Sequence, residues 1–374
     1  MLKLPALPST MNKRTSYIAK LLATFMAIVS AVSCGREEPL VNGGVSISFS
    51  TSDLITKVGD GVVADGGGIA FDAGKPNIVV AIVDRNDDIV AWYPSDFPDT
   101  PPSGSYTSEL VSGATATVST VYITGLVRGT YTAFAIANYT GMHSDALNQL
   151  KAATVLSDLE SIELEVEGSP AAPTIHNSRM PISAKGSLSV NISGNGQVDL
   201  DLLRPVAKVE MYFIDQTDGV DPFTGDPVPL TLYDCSVTIH EMNPTKGYLF
   251  PTDPDVGSGS LNDLEFSGNG LELSTNPTTP TMPGKMVFPS TAPVQSLGNR
   301  YYCDISFKVA PAGMTYEYTD LPVHDYRSAD LQYLRRNQHL KINTRITKRG
   351  SEHDVSFWFE IESWEEKSET VVFD

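Results

Sequence analysis

The chain contains 374 residues, with 26 Lys and Arg against 45 Asp and Glu, so its formal net charge is −19 at pH 7. So acidic a chain repels nucleic acid and anionic lipid surfaces, and nucleic acid is therefore excluded as a partner. The length predicts two domains, and a hydrophobic content of 41% is enough for packed cores and excludes global disorder.

The first predicted element is an export signal over residues 1–33. Basic residues precede an apolar run from Leu21 to Val32, and small residues then lead to Cys34. The run has about a dozen residues, too few to cross a hydrocarbon core that needs roughly 20. This pattern resembles a bacterial lipoprotein signal, in which the cysteine becomes the lipidated first residue, so we predict lipidation at Cys34. The alternative is an ordinary cleaved signal followed by a chance cysteine.

Strand patterns follow the signal. The segment from Val45 to Phe49 alternates apolar and polar residues, as a half-buried strand does. An apolar run from Asn77 to Val83 predicts a fully buried strand, and a turn joins it to a hairpin partner at Ile89–Tyr93.

Three more elements complete the first half. A second hairpin is predicted over residues 115–137, turning around Gly125. A helix is predicted from Ser144 to Thr154, capped by Ser144 and with its apolar side chains on one face. Strand alternation returns over residues 159–166.

The composition shifts to Gly, Ser, Pro and Asn over residues 167–200, and we place the domain boundary there. Beyond it, the pattern at Tyr326–Arg336 predicts a helical turn. The remaining elements are predicted strands, at residues 206–214, 231–241, 301–309, 340–346 and 355–361.

These elements predict an all-β fold with minor helices, built as two β-sandwich domains of transthyretin-like or Greek-key type in tandem. The predicted domains cover residues 58–200 and 201–374, and residues 34–57 form a tether and the first strand.

No enzyme signature is present, and we predict a non-enzymatic protein without a cofactor or metal. The sequence contains neither a Gly-x-Ser-x-Gly nucleophile elbow nor a Gly-Lys-Ser/Thr phosphate loop. Two acidic turns, at residues 84–88 and 215–226, have the residue types of a calcium loop. Their spacing matches no complete loop, and turns favour Asp and Asn in any case.

Cys235 and Cys303 are the cysteines that remain beyond Cys34. In an exported protein such a pair can form a disulfide, which makes this pair a candidate. The sequence leaves open whether their Cβ atoms face each other.

Several stretches in order resemble the fimbrillins, the pilin family of the type V pili of Bacteroidales. After the lipoprotein start come residues 58–83 and the strand at 129–138. The segment Arg204–Val209 is similar to the Arg-x-x-Ala-Lys-Val strand that opens the family's second domain, and Met180–Ser183 precedes it. Arg336-Asn337 then stands before an alternating strand, and Trp364 comes late in the chain.

The resemblance implies a structural subunit of surface fimbriae that supports adhesion. It implies export as an outer-membrane lipoprotein, and a trypsin-like protease that cuts behind the first strand. A strand from another subunit then fills the opened groove. The implied partners are other fimbrillin subunits, the outer membrane through the lipid at Cys34 before processing, and a receptor on a host or bacterial surface.

Lys57 is the first basic residue after the Val45–Phe49 strand, and glycines follow it closely. Exposed, glycine-rich segments are the kind that proteases cut. We therefore predict processing at Lys57, the alternative being an ordinary loop lysine.

Two other roles stay open. Few residues follow Trp364, which leaves little to donate to a neighbour, so the chain is alternatively a tip subunit or an anchor that keeps its lipid. From a different class, a monomeric surface glycan-binding lipoprotein would hold sugar on exposed aromatic rings. Trp92 with Tyr93 is the best local candidate for such a platform.

Overall fold

The computed structural model describes residues 43–50, 71–72, 75–111, 118–165, 167–169, 172–174, 180–217, 228–252, 256–292, 294–295, 298–325, 331–349 and 352–363. These residues are mostly β-strand, arranged in several sheets with few helices, so the predicted all-β fold class is confirmed. Among them, no helix is long and apolar enough to span a membrane.

In chain order, the strands of the first half are β1 (Gly44–Ser50), β2 (Phe71–Asp72), β3 (Lys75–Pro76), β4 (Ile78–Val83), β5 (Ile89–Tyr93), β6 (Thr107–Leu110), β7 (Val118–Thr124), β8 (Gly129–Ala137), β9 (Glu163–Glu165), β10 (Glu167–Ser169), β11 (Ala172–Thr174), β12 (Ile182–Val190) and β13 (Gly196–Asp201). β1 alternates buried and half-buried positions, whereas β4 is buried along its whole length, as the sequence predicts.

Two four-stranded sheets of the first half share a hydrophobic core. The front sheet has the order β13-β1-β7-β6, and the back sheet has the order β12-β8-β4-β5. Their apolar side chains form one cluster, the first core, with Ile47 and Val121 from the front sheet and Val80 and Ala135 from the back sheet. Burial on one face explains the period-2 pattern of β1.

The predicted hairpin over residues 115–137 is wrong. β7 and β8 follow each other in the chain, but β7 pairs with β1 and β6 in the front sheet, whereas β8 pairs with β4 and β12 in the back sheet. Both arrangements give the same alternation, because each strand still buries one face. At the turn between them, Gly125 has φ of 88°, a conformation that disfavours other residues.

The helices of the first half are α1 (Ser144–Ala152) and α2 (Leu156–Glu160). The predicted helix at Ser144 is confirmed, but its cap lies one residue earlier: the His143 ring nitrogen accepts a hydrogen bond from the Asp145 amide at 3.4 Å. The predicted strand over residues 159–166 is wrong at its start, because residues 159 and 160 belong to α2 and strand begins at β9.

The second half is built from longer strands. In chain order they are β14 (Ala207–Gln216), β15 (Thr231–Tyr248), β16 (Ser258–Gly268), β17 (Leu271–Glu272), β18 (Met282–Val287), β19 (Ser290–Thr291), β20 (Val294–Gln295), β21 (Gly298–Asn299), β22 (Tyr302–Lys308), β23 (Thr315–Pro322), β24 (His324–Asp325), β25 (Tyr333–Leu334), β26 (Gln338–Arg349) and β27 (Glu352–Ser363).

Most of these strands form one sheet ordered β18-β14-β26-β27-β24 and another ordered β16-β15-β22-β23, to which β17 and β9 add through β15. The two sheets enclose a second core, which includes Phe213, Phe266 and Phe307. The predicted helical turn at Tyr326–Arg336 is wrong where it is described, because β25 is extended and pairs with β19. The domain boundary near residue 200 stays a prediction.

A third cluster, the shared core, joins the two halves. From the first half it takes apolar side chains of the back sheet and both helices, and from the second half it takes Leu249, Phe250, Met286 and Phe288. The rings of Phe134 and Phe250 meet edge to face, with centroids 4.8 Å apart. Such pairs add specific geometry to the burial of apolar area.

Candidate functional site

The predicted first strand occupies a central place in the front sheet. β1 pairs in parallel with β13 on one side, from Val45 opposite Gly196 to Ser50 opposite Asp201. On the other side it pairs antiparallel with β7 along its whole length. The strand therefore has hydrogen-bonded neighbours on both edges, although β13 comes about 150 residues later in the chain.

The inward side chains of β1 are completely enclosed. Val45 and Ile47 have no exposed surface, and Phe49 is 1% exposed. Full burial of an aliphatic or aromatic side chain contributes about 1.5–3 kcal/mol, so these three residues supply much of what holds β1 in place.

The outward side chains of β1 are small and polar. Ser48 Oγ lies 3.1 Å from Thr120 Oγ1 on β7, and Ser50 Oγ donates to Asp201 Oδ1 of β13 at 3.0 Å. The Leu202 amide also donates to the Ser50 carbonyl at 3.1 Å. These contacts tie β1 to both neighbouring strands without burying charge.

We call the space that β1 occupies between β7 and β13 the β1 slot. Without β1, the slot would expose the first core along its length and leave facing backbone N–H and C=O groups of β7 and β13 unpaired. An open sheet position of this kind binds extended strands, and it also promotes aggregation. The geometry is thus suited to strand replacement. The predicted sites at Cys34 and Lys57 lie outside the described residues.

Comparison with known proteins gives structural likeness only. No protein-family model and no curated protein sequence matches the chain. A candidate cell adhesion protein from Parabacteroides distasonis matches with a TM-score of 0.53 at 14% identity, covering 87% of this chain and 98% of its own. The chain has the fold of that protein.

Two weaker likenesses are to proteins of Porphyromonas gingivalis. The tip fimbrial protein Mfa3, with a C-terminal truncation, gives a TM-score of 0.49 at 13% identity, covering 86% of this chain and 99% of its own. A fimbrilin gives 0.46 at 10% identity, covering 87% and 98%. Neither score reaches 0.5, so the shared fold rests on the Parabacteroides protein.

The candidate disulfide is not formed. Cys235 and Cys303 are both free and buried. They lie on the paired strands β15 and β22, but Cys303 stands opposite Ile239, four positions along the strand from Cys235. Four residues of strand span about 13 Å, whereas bridged cysteines have Cα atoms no more than about 7 Å apart.

Both thiols should be unreactive in the folded protein. Burial raises the pKa of the Cys235 thiol to about 12, and burial, with the nearby charge of Asp304, raises the pKa of Cys303 further. Because the thiolate is the nucleophile, we expect iodoacetamide to modify both cysteines only after unfolding, as read by peptide mass spectrometry. An introduced cysteine at the exposed Ser103 (Ser103→Cys) serves as the reactive control. Native labelling at the control's rate would contradict the buried placement.

In the described parts of the two acidic turns, aspartate carboxylates accept hydrogen bonds from backbone amides. Asp84 Oδ1 accepts from the amides of Asn86 at 2.8 Å and Asp88 at 3.1 Å. Asp215 accepts from the amides of Thr217 and Leu230, both at 2.8 Å. No group of three metal-ligating side chains occurs in the part of the chain that the structure describes.

Trp92 and Tyr93 do not form an exposed aromatic platform. Trp92 is 1% exposed and belongs to the shared core, and Tyr93 is half-buried against the first core. Consecutive strand residues point to opposite faces, and here both faces of β5 are covered. Because Trp92 is enclosed, the pair does not present two exposed rings on which a sugar could stack.

The sequence pattern does not predict one buried polar cluster, which centres on Glu210. Glu210 on β14 is 5% exposed and contacts Lys208 at 2.9 Å, the Tyr212 hydroxyl at 2.7 Å and His339 at 2.8 Å. Although burial opposes ionisation, the hydrogen bonds and charges of His339 and Lys208 lower the pKa of Glu210 to about 2. The alternation of side chains along β14 predicts that residues 208, 210 and 212 share one face of the strand. That His339 lies beside them follows only from the pairing of β14 with β26, in which Lys208 stands opposite His339.

Proposed function

We propose that this protein is a non-enzymatic structural subunit of surface fimbriae, of fimbrillin type, which supports adhesion and assembles by exchange of β1. The observation that carries the proposal is the position of β1. It precedes the predicted processing site in the chain, yet it is an enclosed strand of the front sheet that is paired on both edges. The shared fold with a candidate cell adhesion protein supports the same role.

The proposed mechanism begins with export as a lipoprotein, lipidated at Cys34 and held at the outer membrane. A trypsin-like protease cuts after Lys57, and residues 34–57 leave together with the lipid. Their departure opens the β1 slot, and a strand from another subunit enters it. Main-chain hydrogen bonds to β7 and β13 then give affinity, while alternate side chains fill the first core. Keeping the slot filled until cleavage avoids premature aggregation.

The domain organisation belongs to the same proposal. Strands up to β13 pair mainly within the front and back sheets, and strands from β14 onward form the second-half sheets. This pattern supports a boundary near residue 201. β9 crosses this boundary, because residues 163–165 pair with β15 at residues 246–248. The proposed partners are other fimbrillin subunits, with a receptor on a host or bacterial surface.

The cleavage step predicts opposite results for two substitutions at one position. Lys57→Gln should block cleavage and abolish SDS-resistant polymers, whereas Lys57→Arg keeps a basic residue and should preserve both. The measurements are the N-terminal mass of surface-sheared protein and ladder formation on gels after protease treatment. If the protease is arginine-specific, Lys57→Arg should be cut faster than the natural chain.

Two outcomes would contradict this assembly route. Polymers formed equally well by Lys57→Gln would remove the need for cleavage there. An intact acylated Cys34 on assembled protein would show that the first strand is retained, which is the behaviour of an anchor subunit. A monomer that instead binds polysaccharide on an affinity gel would favour the glycan-binding alternative.

A further inference from the structure

We infer that the β1 slot accepts a strand in a single register, which is set at one end by Gly43 and Gly44. The strand that replaces β1 should therefore carry two consecutive glycines, followed by apolar residues at every second position. This inference rests on the proposed strand exchange and specifies the partner by its chemistry: an extended segment of another subunit with the pattern Gly-Gly-apolar-x-apolar-x-aromatic.

Gly43 is enclosed by backbone. A Cβ atom on Gly43 would overlap the Ser193 carbonyl oxygen and Gly194 Cα, in the turn that joins β12 to β13. That turn is held by its own hydrogen bonds: Asn191 Oδ1 accepts from the amides of Ser193 at 2.8 Å and Asn195 at 3.0 Å. Because backbone atoms in a fixed turn cannot move aside, only glycine fits at this position.

Gly44 is enclosed by a side chain. Its Cβ would lie 2.6 Å from Cε1 of the Tyr122 ring and closer still to the end of that ring. The Gly44 amide also donates to Asn195 Oδ1 at 3.3 Å, which ties the strand to the same turn. Since the half-buried Tyr122 ring can rotate, a larger side chain should be tolerated better at position 44 than at position 43.

The glycines are needed because alternation alone does not fix the register. A slip by one residue turns Val45, Ile47 and Phe49 outward and is excluded by the first core. A slip by two residues keeps the apolar face inward. In one direction such a slip places side chains where Gly43 and Gly44 now lie, against the turn and the Tyr122 ring. In the other direction it places Gly43 at the site of Val45 and leaves a cavity.

Residue size along the slot agrees with one register. Phe49 stands opposite Ser119, a small buried residue on β7, whereas Ile47 stands opposite Val121. A slip by two residues would bring the phenylalanine ring opposite Val121 or take it beyond the slot. The slot thus selects glycines at one end and a large ring at the other.

The test uses the full chain cut after Lys57 and a labelled peptide of residues 43–50, whose exchange into the slot is followed by fluorescence anisotropy. A Gly43→Ala peptide should bind about tenfold or more weakly, the effect expected of overpacking. A Gly44→Ala peptide should bind several-fold more weakly to the natural protein but normally to the Tyr122→Ala protein. Tyr122→Ala should not restore the Gly43→Ala peptide, and a Ser46→Ala peptide serves as the outward-facing control.

Equal binding of the Gly43→Ala and Ser46→Ala peptides would overturn the inference. If the natural peptide does not enter the slot at all, the proposed exchange fails, and the register is tested in the uncut chain. There, Gly43→Ala should speed hydrogen exchange of the β1 amides about tenfold or more. Gly129→Ala is the matched control, because its Cβ would make only ordinary contact, 3.4 Å from the Tyr131 ring. Equal exchange rates in the two variants would overturn the register assignment.

Discussion

Phe49→Ala is expected to destabilise the protein by about 3–5 kcal/mol, the usual cost of removing a buried phenylalanine ring. The ring is 1% exposed, lies in the first core and stands opposite the small Ser119, so little can collapse into the space it leaves. The measurement is the free energy of unfolding in denaturant. The same change should also speed release of the first strand from protein cut after Lys57, because this side chain helps to hold β1 in the slot.

Val127→Ala is the control for this prediction. Val127 is 46% exposed on the connection between β7 and β8, and substitutions at such positions usually change stability by less than about 0.5 kcal/mol. Comparable destabilisation by the two substitutions would contradict the enclosed position of Phe49. Strong destabilisation without faster strand release would show that the ring stabilises the first core but not the retention of β1.

The sequence predicts β1 correctly because the strand buries one face, and an alternation of apolar and polar residues indicates such one-sided burial. It cannot predict the neighbours of β1, since the parallel partner β13 lies far along the chain. The same limit explains the wrong hairpin at β7 and β8. Alternation reports that a strand has a buried face, and both sheets of a sandwich satisfy it.

The cysteines show that the register of two paired strands cannot be predicted from the sequence either. Cys235 and Cys303 lie on strands that do pair, yet the offset along β15 keeps their Cα atoms too far apart for a bridge. The glycines at the slot show the opposite case. Gly43 and Gly44 stand directly before an alternating strand, so the signal was present in the sequence. Their role in fixing the register could not be predicted, because the Asn191–Asn195 turn and the Tyr122 ring come next to these glycines only in the folded chain.

Phe250→Ala is expected to cost about 3–5 kcal/mol and to weaken both halves of the protein together. Phe250 is 1% exposed and belongs to the second half, but its ring packs edge to face on Phe134 of the back sheet. A cavity there removes contacts on both sides of the shared core. Hydrogen exchange read by mass spectrometry should therefore show lost protection in β8 as well as in β15.

The matched control is Met314→Ala, a residue 75% exposed in the second half, which should leave exchange unchanged in both halves. Lost protection confined to β15 would show that the halves unfold independently and that the shared core contributes little to their coupling.

A loss of protection in both halves would also bear on assembly, because it would show that the shared core couples them. If β1 is replaced as we propose, the incoming strand would pack in the first core, and the back sheet and shared core would connect it to the second half. Force applied to the exchanged strand would then be carried across the subunit by packed side chains, not by the chain connection alone.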